Sequence, residues 1–209
     1  MFVKPLCAGA LELASPEPEK APRLRADARR NRDRLIQAAA EAFAERGAGA
    51  SLEDIAKRAG VGIGTLYRHF PTREHLVEVV YRRELELLAE AAEHLAAEKA
   101  PDEALEDWMY RFVNYMATKR GMANSLKLLI VSNAALFSDG SALLRGAFAA
   151  LIAKAIKAGT IRSDVETEDV LHALSSIYSI PDTPQWRERA NRLIGLLMDG
   201  LRHRRPPST

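Results

Sequence analysis

The stretch "AGVGIGTLYRHF", residues 59–70, combines residue types that suit binding to phosphate groups. Glycine stands at every second position from Gly60 to Gly64, and Tyr67 and His69 follow at once. A glycine-rich loop that opens a helix can cradle the phosphates of a nucleotide. The same residues suit the tight turn of a helix-turn-helix, which rests on the phosphates of DNA. The stretch therefore raises two alternatives, nucleotide-dependent chemistry and DNA binding.

The element before the glycines favours DNA binding. A nucleotide-binding glycine loop follows a β-strand, whereas these glycines follow "LEDIAKRA", which has the apolar spacing of a short helix. The third glycine is misplaced for the Gly-x-Gly-x-x-Gly fingerprint, and the chain has no Gly-Lys-Ser/Thr loop. A helix-turn-helix fits better, because Ala56 is small where two helices must pack closely and Gly60 permits the positive φ of a sharp turn.

The second helix of this motif is predicted to have two distinct faces. Leu66 and Phe70, four residues apart, point into a small core. Thr65 and His69 lie on another face, where Thr65 offers a hydroxyl and a methyl group to base edges. Tyr67 and His69 are placed to donate hydrogen bonds to phosphates. The alternative left open by the residues alone is that Tyr67 and His69 only decorate a small helical bundle.

Four further positions complete this face. Gly62 and Gly64 keep the surface low, so that the backbone can approach a duplex closely. Arg68 lies between Thr65 and His69. Ile63 is either a contact to a thymine methyl group or an exposed residue without a base contact, and the sequence does not decide between the two.

Charge is distributed unevenly along the chain. Residues 23–73 hold 11 Lys or Arg against 6 Asp or Glu, a net charge of +5. Residues 74–201 hold 14 against 19, a net charge of −5. A basic end on an acidic body indicates a polyanion bound at that end, with chance clustering of surface charge as the alternative.

Composition limits the other functions that we expect. The 209 residues are 47% hydrophobic and 28% charged, and the single cysteine, Cys7, excludes an internal disulfide. The most apolar run, "LKLLIVSNAALF", is too short and too interrupted for a membrane span, so we expect a cytoplasmic protein without a membrane partner. The five histidines show no zinc-type spacing, and no nucleophile elbow occurs. We therefore expect no enzyme activity, no metal and no cofactor.

Helical periodicity runs through almost the whole chain and predicts an all-α fold. A helix around "RDRLIQAAAEAFAERG" ends at Gly47, and Ser51 caps the next helix, with Asp54 as its capping-box partner. The remaining predicted helices cover about 63–70, 72–99, 101–121, 122–136, 140–158, 167–180 and 185–203. Residues 1–24 and 204–209 are predicted to be disordered tails.

The run "SLEDIAKRAGVGIGTLYRHFPTREHL" resembles the signature of the TetR family of transcriptional repressors, and residues 31–76 match that signature at nearly every fixed position. The resemblance implies a DNA-binding domain over residues 25–71 and a regulatory and dimerisation domain over residues 72–203. It further implies a homodimer bound to a palindromic operator in double-stranded DNA, released when a small-molecule effector binds the C-terminal domain. A helical adaptor and a ligand-blind DNA-binding protein remain as alternatives.

The resemblance assigns DNA contacts residue by residue. Thr65 is a base contact, and Tyr67 and His69 are phosphate contacts. Arg73 stands where the family often has lysine, and Gly62 replaces a frequent serine cap, which puts the order of the recognition helix in question. The predicted DNA-binding set is Arg29, Arg32, Arg34, Ser51, Gly62, Ile63, Gly64, Thr65, Tyr67, Arg68, His69 and Arg73.

The run "RLRADARRNRDR" before the first predicted helix carries six arginines and two aspartates. In some family members such an arm tracks the minor groove or the DNA backbone, and narrow grooves attract arginine. A solvated charged extension is the alternative for the part that precedes Arg29. For Arg29, Arg32 and Arg34 we expect at least one phosphate contact.

The resemblance also assigns two roles to the C-terminal body. The last two long helices carry broad apolar stripes, which a four-helix dimer interface would use, although a buried hairpin explains the same stripes. The predicted interface residues are Leu171, Leu174, Ile177, Leu193, Ile194, Leu197 and Leu201. The predicted effector-binding residues combine bulk with a few polar tips, although each is also a candidate for plain core. They are Trp108, Phe112, Met116, Leu129, Asn133, Phe148 and Tyr178.

Overall fold

The computed structural model describes residues 20–181 and 183–202, with side chains from residue 25 onward. Within these residues the chain forms nine α-helices, two short 3₁₀ helices and no strand, which confirms the predicted all-α fold. The helices are α1 Lys20–Arg46, α2 Leu52–Arg58, α3 Ile63–His69, α4 Arg73–Glu98, α5 Pro101–Gly121, α6 Ala123–Ser132, α7 Ala134–Ala158, α8 Thr167–Ser175 and α9 Trp186–Arg202. The 3₁₀ helices are Gly47–Gly49 and Ser176–Ser179.

Local signals fix the ends of the two short helices near the N-terminus. Ser51 caps α2, since its hydroxyl accepts a hydrogen bond from the Asp54 backbone N–H at 3.0 Å. The other half of the predicted capping box is not formed, because the Asp54 carboxylate accepts from Arg46 at 2.7 Å instead. Gly60 follows α2 with φ +67°, the conformation that the predicted turn requires.

Helix α4 joins the N-terminal three-helix module to the body. Thr72 caps it, as predicted, by accepting a hydrogen bond from the His75 backbone N–H at 3.1 Å. Its 26 residues extend about 39 Å. Helix α4 packs against α1 in the module and against α5, α6 and α7 in the body, so both parts of the molecule share it.

Helix α5 lies at the centre of the body. Pro101 occupies its first turn, where the missing N–H costs no hydrogen bond. The helix contacts α1, α4, α7 and α9, and it buries residues on most of its circumference. A helix buried on several sides at this position makes α5 the element against which the other helices pack.

The predicted boundary between α6 and α7 was wrong. Helix α6 ends at Ser132, and α7 begins at Ala134 rather than near Gly140. The Asn133 side chain caps α7 by accepting from the Leu136 backbone N–H at 3.3 Å. Gly140 lies inside α7, where a Cβ would stand 2.5 Å from Leu85 Cδ1, so the glycine serves close helix packing and not a helix break.

Two other predicted boundaries also need correction. Helix α1 begins at Lys20, so residues 20–24 are helical and not part of a disordered tail. Helix α8 ends at Ser175, and a 3₁₀ turn replaces the rest of the predicted helix over 167–180. The predicted tails over residues 1–19 and 204–209 lie outside the described residues.

Helix α7 is long and apolar enough, by length and composition, to cross a membrane. In this fold it packs against α4, α5, α6 and α8. Its buried positions form a stripe along one side of the helix, namely Leu136, Gly140, Leu144, Phe148, Leu151, Ile152 and Ala155. This stripe places one side of α7 in the core of the body.

Candidate nucleic-acid interface

Helix α3 is held by a small number of buried side chains. Leu66 and Phe70 are fully buried, as their predicted inward orientation requires. The backbone N–H of Phe70 donates to the Leu66 carbonyl at 2.8 Å and closes the last turn. The helix is thus anchored along one side, and its other side is free.

The free side of α3 is the exposed face of the module. Ile63 is 37% exposed and Tyr67 46% exposed, so both side chains reach the surface of the module. Arg68 is exposed beside them, whereas Thr65 and His69 are half-buried at the edge of this face. One short helix therefore presents an aromatic hydroxyl, a cation, a small hydroxyl and an imidazole to the same surroundings.

The glycines on this face leave room for close approach. At both Gly62 and Gly64, apart from the adjacent residues and the helix's own backbone, no atom lies within 4 Å of the position that a Cβ would occupy. Gly62 is the N-cap residue of α3 and supplies no side-chain cap. Its carbonyl nevertheless accepts from the backbone N–H groups of Thr65 at 2.9 Å and Leu66 at 3.2 Å. The first turn of α3 is formed without the serine that the family signature often has.

Hydrogen bonds across the α2–α3 turn fix the position of α3. The backbone N–H of Gly60 donates to Lys57 at 3.1 Å, and that of Val61 donates to Ala56 at 3.0 Å. These two bonds satisfy carbonyls at the end of α2 and reverse the chain within a few residues. The geometry is that of a helix-turn-helix, in which α3 is the outward helix.

The predicted phosphate contacts on α1 lie beside the two ends of α3. The Arg32 guanidinium is 5.6 Å from the centroid of the Phe70 ring. The Arg34 side chain donates to Asn31 and approaches the α2–α3 turn. Arg29 is exposed. The structure therefore brings Arg32 and Arg34 to the border of the α3 face, while Arg29 projects further along α1.

Two predicted DNA contacts already have partners inside the module. Arg73 donates to the Ala50 carbonyl at 2.7 Å and lies 5.2 Å above the Phe43 ring, so its guanidinium holds the start of α4 against the segment before α2. Ser51 uses its hydroxyl to cap α2. Both residues position the module, a role that sequence reasoning missed for Arg73.

Three of the predicted effector-binding residues form one aromatic cluster in the body. The ring centroids of Trp108 and Phe112 are 5.8 Å apart, and those of Trp108 and Phe148 are 5.2 Å apart. All three are buried, and the Trp108 indole N–H donates to the Leu88 carbonyl at 2.8 Å. Within the protomer the three rings therefore pack against one another, and the indole N–H already has a hydrogen-bond acceptor.

The other four predicted effector-binding residues are more dispersed. Met116 and Leu129 are buried in the core. Asn133 caps α7 and also lies 3.4 Å from Glu78, so both ends of its amide have partners. Tyr178 is 43% exposed, and Lys119 and Arg120 lie over its ring. The structure does not bring Asn133 or Tyr178 into the Trp108 cluster.

A partly buried polar cluster between α4 and α5 was missed by sequence reasoning. Tyr81 and Tyr115 lie with ring centroids 6.4 Å apart, and burial raises the pKa of both hydroxyl groups. Burial also raises the pKa of the Glu84 carboxyl and lowers the pKa of the Lys119 ammonium. The sequence carried one sign of this cluster, because a polar residue interrupts the apolar residues of each helix, Glu84 in α4 and Thr118 in α5.

An open cavity of about 260 Å³ lies next to this cluster. Its lining combines two carboxylate or amide groups, a guanidinium and a phenol with two leucines, namely Glu84, Leu87, Leu88, Arg111, Asn114 and Tyr115. Small-molecule sites share this mixture of apolar walls and a few polar groups. The cavity therefore adds candidates to the effector-binding residues predicted from the sequence.

The predicted dimer residues separate into two groups. One group is at most 3% exposed in the protomer, namely Leu174, Ile177, Ile194 and Leu201. These four side chains offer no surface to a partner, so they belong to the core of the protomer and not to a dimer interface. Leu171 and Leu197 are half-buried and Leu193 is 38% exposed. Leu196, which the sequence prediction omitted, is 68% exposed on α9.

The helix-turn-helix and its exposed second helix define a DNA-binding module on a helical body. Comparison with known proteins agrees in both parts. The family model described as "Bacterial regulatory proteins, tetR family" matches residues 35–80, and one described as "Transcriptional regulator SbtR-like, C-terminal domain" matches residues 100–203.

Solved structures match over almost their full length. A TetR transcriptional regulator from Streptomyces coelicolor is 43% identical, with 85% of this chain and 99% of that chain covered and a TM-score of 0.74. A TetR transcription regulatory protein from Mycobacterium vanbaalenii is 33% identical, with 86% and 99% covered and a TM-score of 0.68. An HTH-type transcriptional regulator of Staphylococcus aureus is 42% identical over 65 residues, which span 31% of this chain and 35% of that protein. This chain belongs to the TetR family of transcriptional regulators and carries the family's helix-turn-helix DNA-binding domain.

Proposed function

We propose that this chain is a repressor that binds a palindromic operator as a homodimer and leaves it when a small molecule binds the body. The observation that carries the proposal is the exposed face of α3, with Tyr67 and Arg68 free on a helix anchored by Leu66 and Phe70. Side chains on such a helix read base edges in the major groove, an arginine through two hydrogen bonds to guanine and a threonine through its hydroxyl group. Because its partner is chromosomal DNA, we place the protein in the cytoplasm.

Homodimer formation is supported by the outer side of the last helix. Leu193 and Leu196 are exposed, Leu197 is half-buried, and Leu171 on α8 is half-buried as well. Exposed leucines clustered on one element indicate a surface that a partner covers. A two-fold dimer of this kind presents two copies of α3, which requires half-sites about 34–36 Å apart on a palindromic operator.

A neutral or apolar effector is supported by the composition of the body. The aromatic cluster around Trp108 is apolar, and the cavity at Glu84 and Tyr115 contains one guanidinium, from Arg111, beside one carboxylate. An anionic effector would need a larger excess of cations. Ligand that separates α4 from α5 would move the module, because α4 belongs to both parts.

The DNA-binding part of the proposal is tested by selection and titration. Binding sites would be selected in vitro from a random-sequence duplex library, and the selected duplex used in gel shifts at increasing salt. We expect a palindromic consensus, two protomers per duplex, and an affinity that falls as salt rises. A protein that selects no consensus would be a helical adaptor and not a regulator of this kind. Transcription in vitro from the chain's own promoter region would then distinguish repression from activation.

Release of DNA by an effector is tested by comparing the effector's affinity for the free protein and for the DNA-bound protein. Compounds that raise the melting temperature of the protein would be titrated with and without saturating operator. An effector that releases DNA must bind more weakly to the DNA-bound protein, by the same factor, with a coupling of typically ~1–3 kcal/mol. If no compound has a different affinity in the two states, the chain is a ligand-blind DNA-binding protein.

A further inference from the structure

The N-terminal part of α1 is a basic helix that extends beyond the three-helix module. Residues 20–34 contain Lys20, six arginines and two aspartates, and they are helical without a break from Lys20. Fifteen helical residues extend about 22 Å. From residue 25 to residue 30 every side chain is exposed, so this segment is not packed against the rest of the molecule.

The arginines of this segment lie in rows along the helix. Arg25, Arg29 and Arg32 are spaced by four and three residues, which places them on one face. Among the described residues, neither Arg25 nor Arg29 has an ion-pair partner, whereas Arg30 pairs with Asp27. The segment thus carries a row of cations, and two of them, Arg25 and Arg29, have no ion-pair partner within the part of the chain that the structure describes.

The place where the basic helix leaves the module is defined by two contacts. The Arg32 guanidinium lies 5.6 Å from the centroid of the Phe70 ring, directly after α3. The Arg34 Nη1 atom lies 3.7 Å from the position that a Cβ on Gly60 would occupy, just before α3. The basic helix therefore emerges next to both ends of the helix that faces DNA.

We infer that residues 25–34 bind the phosphate backbone of double-stranded DNA beside the half-site that α3 reads, as a helix and not as an extended arm. The inference rests on the proposed function. The minor groove of B-DNA is about 6 Å wide, whereas a helix with side chains is about 10–12 Å across, so the helix lies over phosphates and does not enter that groove. Of the two alternatives for this segment, the minor groove and the DNA backbone, the helical form favours the backbone.

The composition of the segment selects DNA over a membrane surface. A helix that binds a membrane needs bulky apolar side chains on one face. Between Arg25 and Arg34 the only apolar residues are Ala26 and Ala28. Contacts to phosphates carry no base information, so the basic helix adds affinity and on-rate to every sequence without changing which sequence is preferred.

The charge of the basic helix is tested with the double variant R25Q/R29Q. Its affinity is measured for the operator selected in vitro and for a random-sequence duplex, at several salt concentrations. Each lost phosphate contact lowers the salt slope by about 0.9 and the affinity at 0.1 M salt on the order of tenfold. We expect both duplexes to lose affinity equally. The matched control K154Q/K157Q removes two exposed charges from α7 and should change neither quantity. An unchanged slope in R25Q/R29Q would overturn the inference.

The helical form is tested separately with A28P, which keeps all charges but breaks the helix between Arg25 and Arg29. A28Q keeps both the helix and the charges and is the control. We expect A28P alone to lose affinity for both duplexes. Wild-type affinity in A28P would show a flexible polybasic arm and contradict helical presentation. Failure of the wild-type protein to bind DNA at all would contradict the proposed function itself, an outcome distinct from the other two.

Discussion

At the scale of single residues, the α3 face separates into free and committed groups. Tyr67 and Arg68 are exposed and have no structural task on their own helix, so their removal should affect DNA binding and not folding. Arg73 and Ser51 make internal hydrogen bonds, so substitutions there would change the module itself. The assignment of DNA contacts is therefore best tested on the free side chains.

The distinction between base and phosphate contacts predicts opposite effects for two small substitutions. Thr65→Ala should relax discrimination at one base position of each half-site, by roughly 1–3 kcal/mol if the contact is direct. Tyr67→Phe removes only a hydroxyl and should weaken binding to all sequences alike, because phosphates carry no base information. Titrations across single-base variants of the selected operator measure both effects. A uniform loss in Thr65→Ala would disprove its role as a base contact.

The half-buried carboxyl of Glu84 makes stability depend on pH. Burial raises its folded-state pKa above the unfolded value, and the Thr118 hydroxyl and the Arg83 charge offset this only in part. The folded state then binds the extra proton, so stability falls as pH rises through that pKa. Glu84→Gln should be more stable than the wild type at pH 7, with the difference vanishing below about pH 4. Urea midpoints measure this, with exposed Glu93→Gln as the control. An equal gain at every pH would exclude ionisation as the cause.

At the scale of elements, the C-terminal end of α5 joins three parts of the molecule. Gly121 abuts the backbone of Phe43 in α1, because a Cβ at Gly121 would stand 2.1 Å from the Phe43 oxygen. The neighbouring Arg120 donates to the carbonyls of Ile177 at 2.9 Å and Ile180 at 2.6 Å, and it also lies 4.7 Å from the Trp186 ring centroid. Two adjacent residues of α5 therefore contact both α1 of the DNA-binding module and the segment from the second 3₁₀ helix to the start of α9.

Two glycine substitutions should have opposite effects on stability. Gly121→Ala forces α1 and α5 apart and should cost about 1–3 kcal/mol, with weaker docking of the module on the body. Gly146→Ala fills open space on α7 and should stabilise the protein by about 0.5–1 kcal/mol. Thermal unfolding and proteolysis between α1 and α5 measure the two effects. Equal stability of the two variants would show that the close contact at Phe43 is not needed.

The proposed dimer surface predicts a monomer when its exposed leucines are charged. Leu193→Glu with Leu196→Glu would place carboxylates in an apolar interface, which is costly without a partner. Sedimentation should show monomers that keep their helical circular dichroism. Leu143→Glu on α7, where the leucine is 44% exposed, is the control and should stay dimeric. A dimer in the double variant would place the interface elsewhere.

The elements that sequence predicted well are those with local signals. Ser51, Gly60 and Thr72 mark helix ends through their own hydrogen bonds and φ angles, so they were recognisable without the fold. Gly140 was misjudged because close packing against Leu85, and not a helix end, requires a glycine there. Tertiary contacts of this kind leave no local pattern.

The candidate site was predictable to a similar extent. The inward and outward faces of α3 follow from helical spacing, and the structure has Leu66 buried and Tyr67 exposed. The inward partner of Arg73 did not follow from spacing, since Ala50 is far away in sequence. The apolar stripes of α8 and α9 did not show which leucines face the core of the protomer. Leu174 was therefore assigned to the dimer interface although it is buried, and the exposed Leu196 was overlooked.

At the scale of the whole molecule, a basic DNA-binding module is attached to an acidic body through α4 and the α1–α5 contact. The charge difference orients the basic end towards DNA before any specific contact forms. Phosphate contacts then supply affinity to all sequences, while the short face of α3 has to supply the preference for one sequence. In the proposed function, helix α3 therefore supplies the preference for one operator sequence.

Sequence preference is measured by the dissociation constant for a random-sequence duplex divided by that for the selected operator, at the same salt concentration. If α3 reads base edges, the ratio should be about 10³ or more, as for other specific DNA-binding proteins. In Thr65→Ala the ratio should fall while the affinity for the random duplex is unchanged. A ratio near one in the wild-type protein would mean that the basic end binds DNA by charge alone, and would contradict sequence reading by α3.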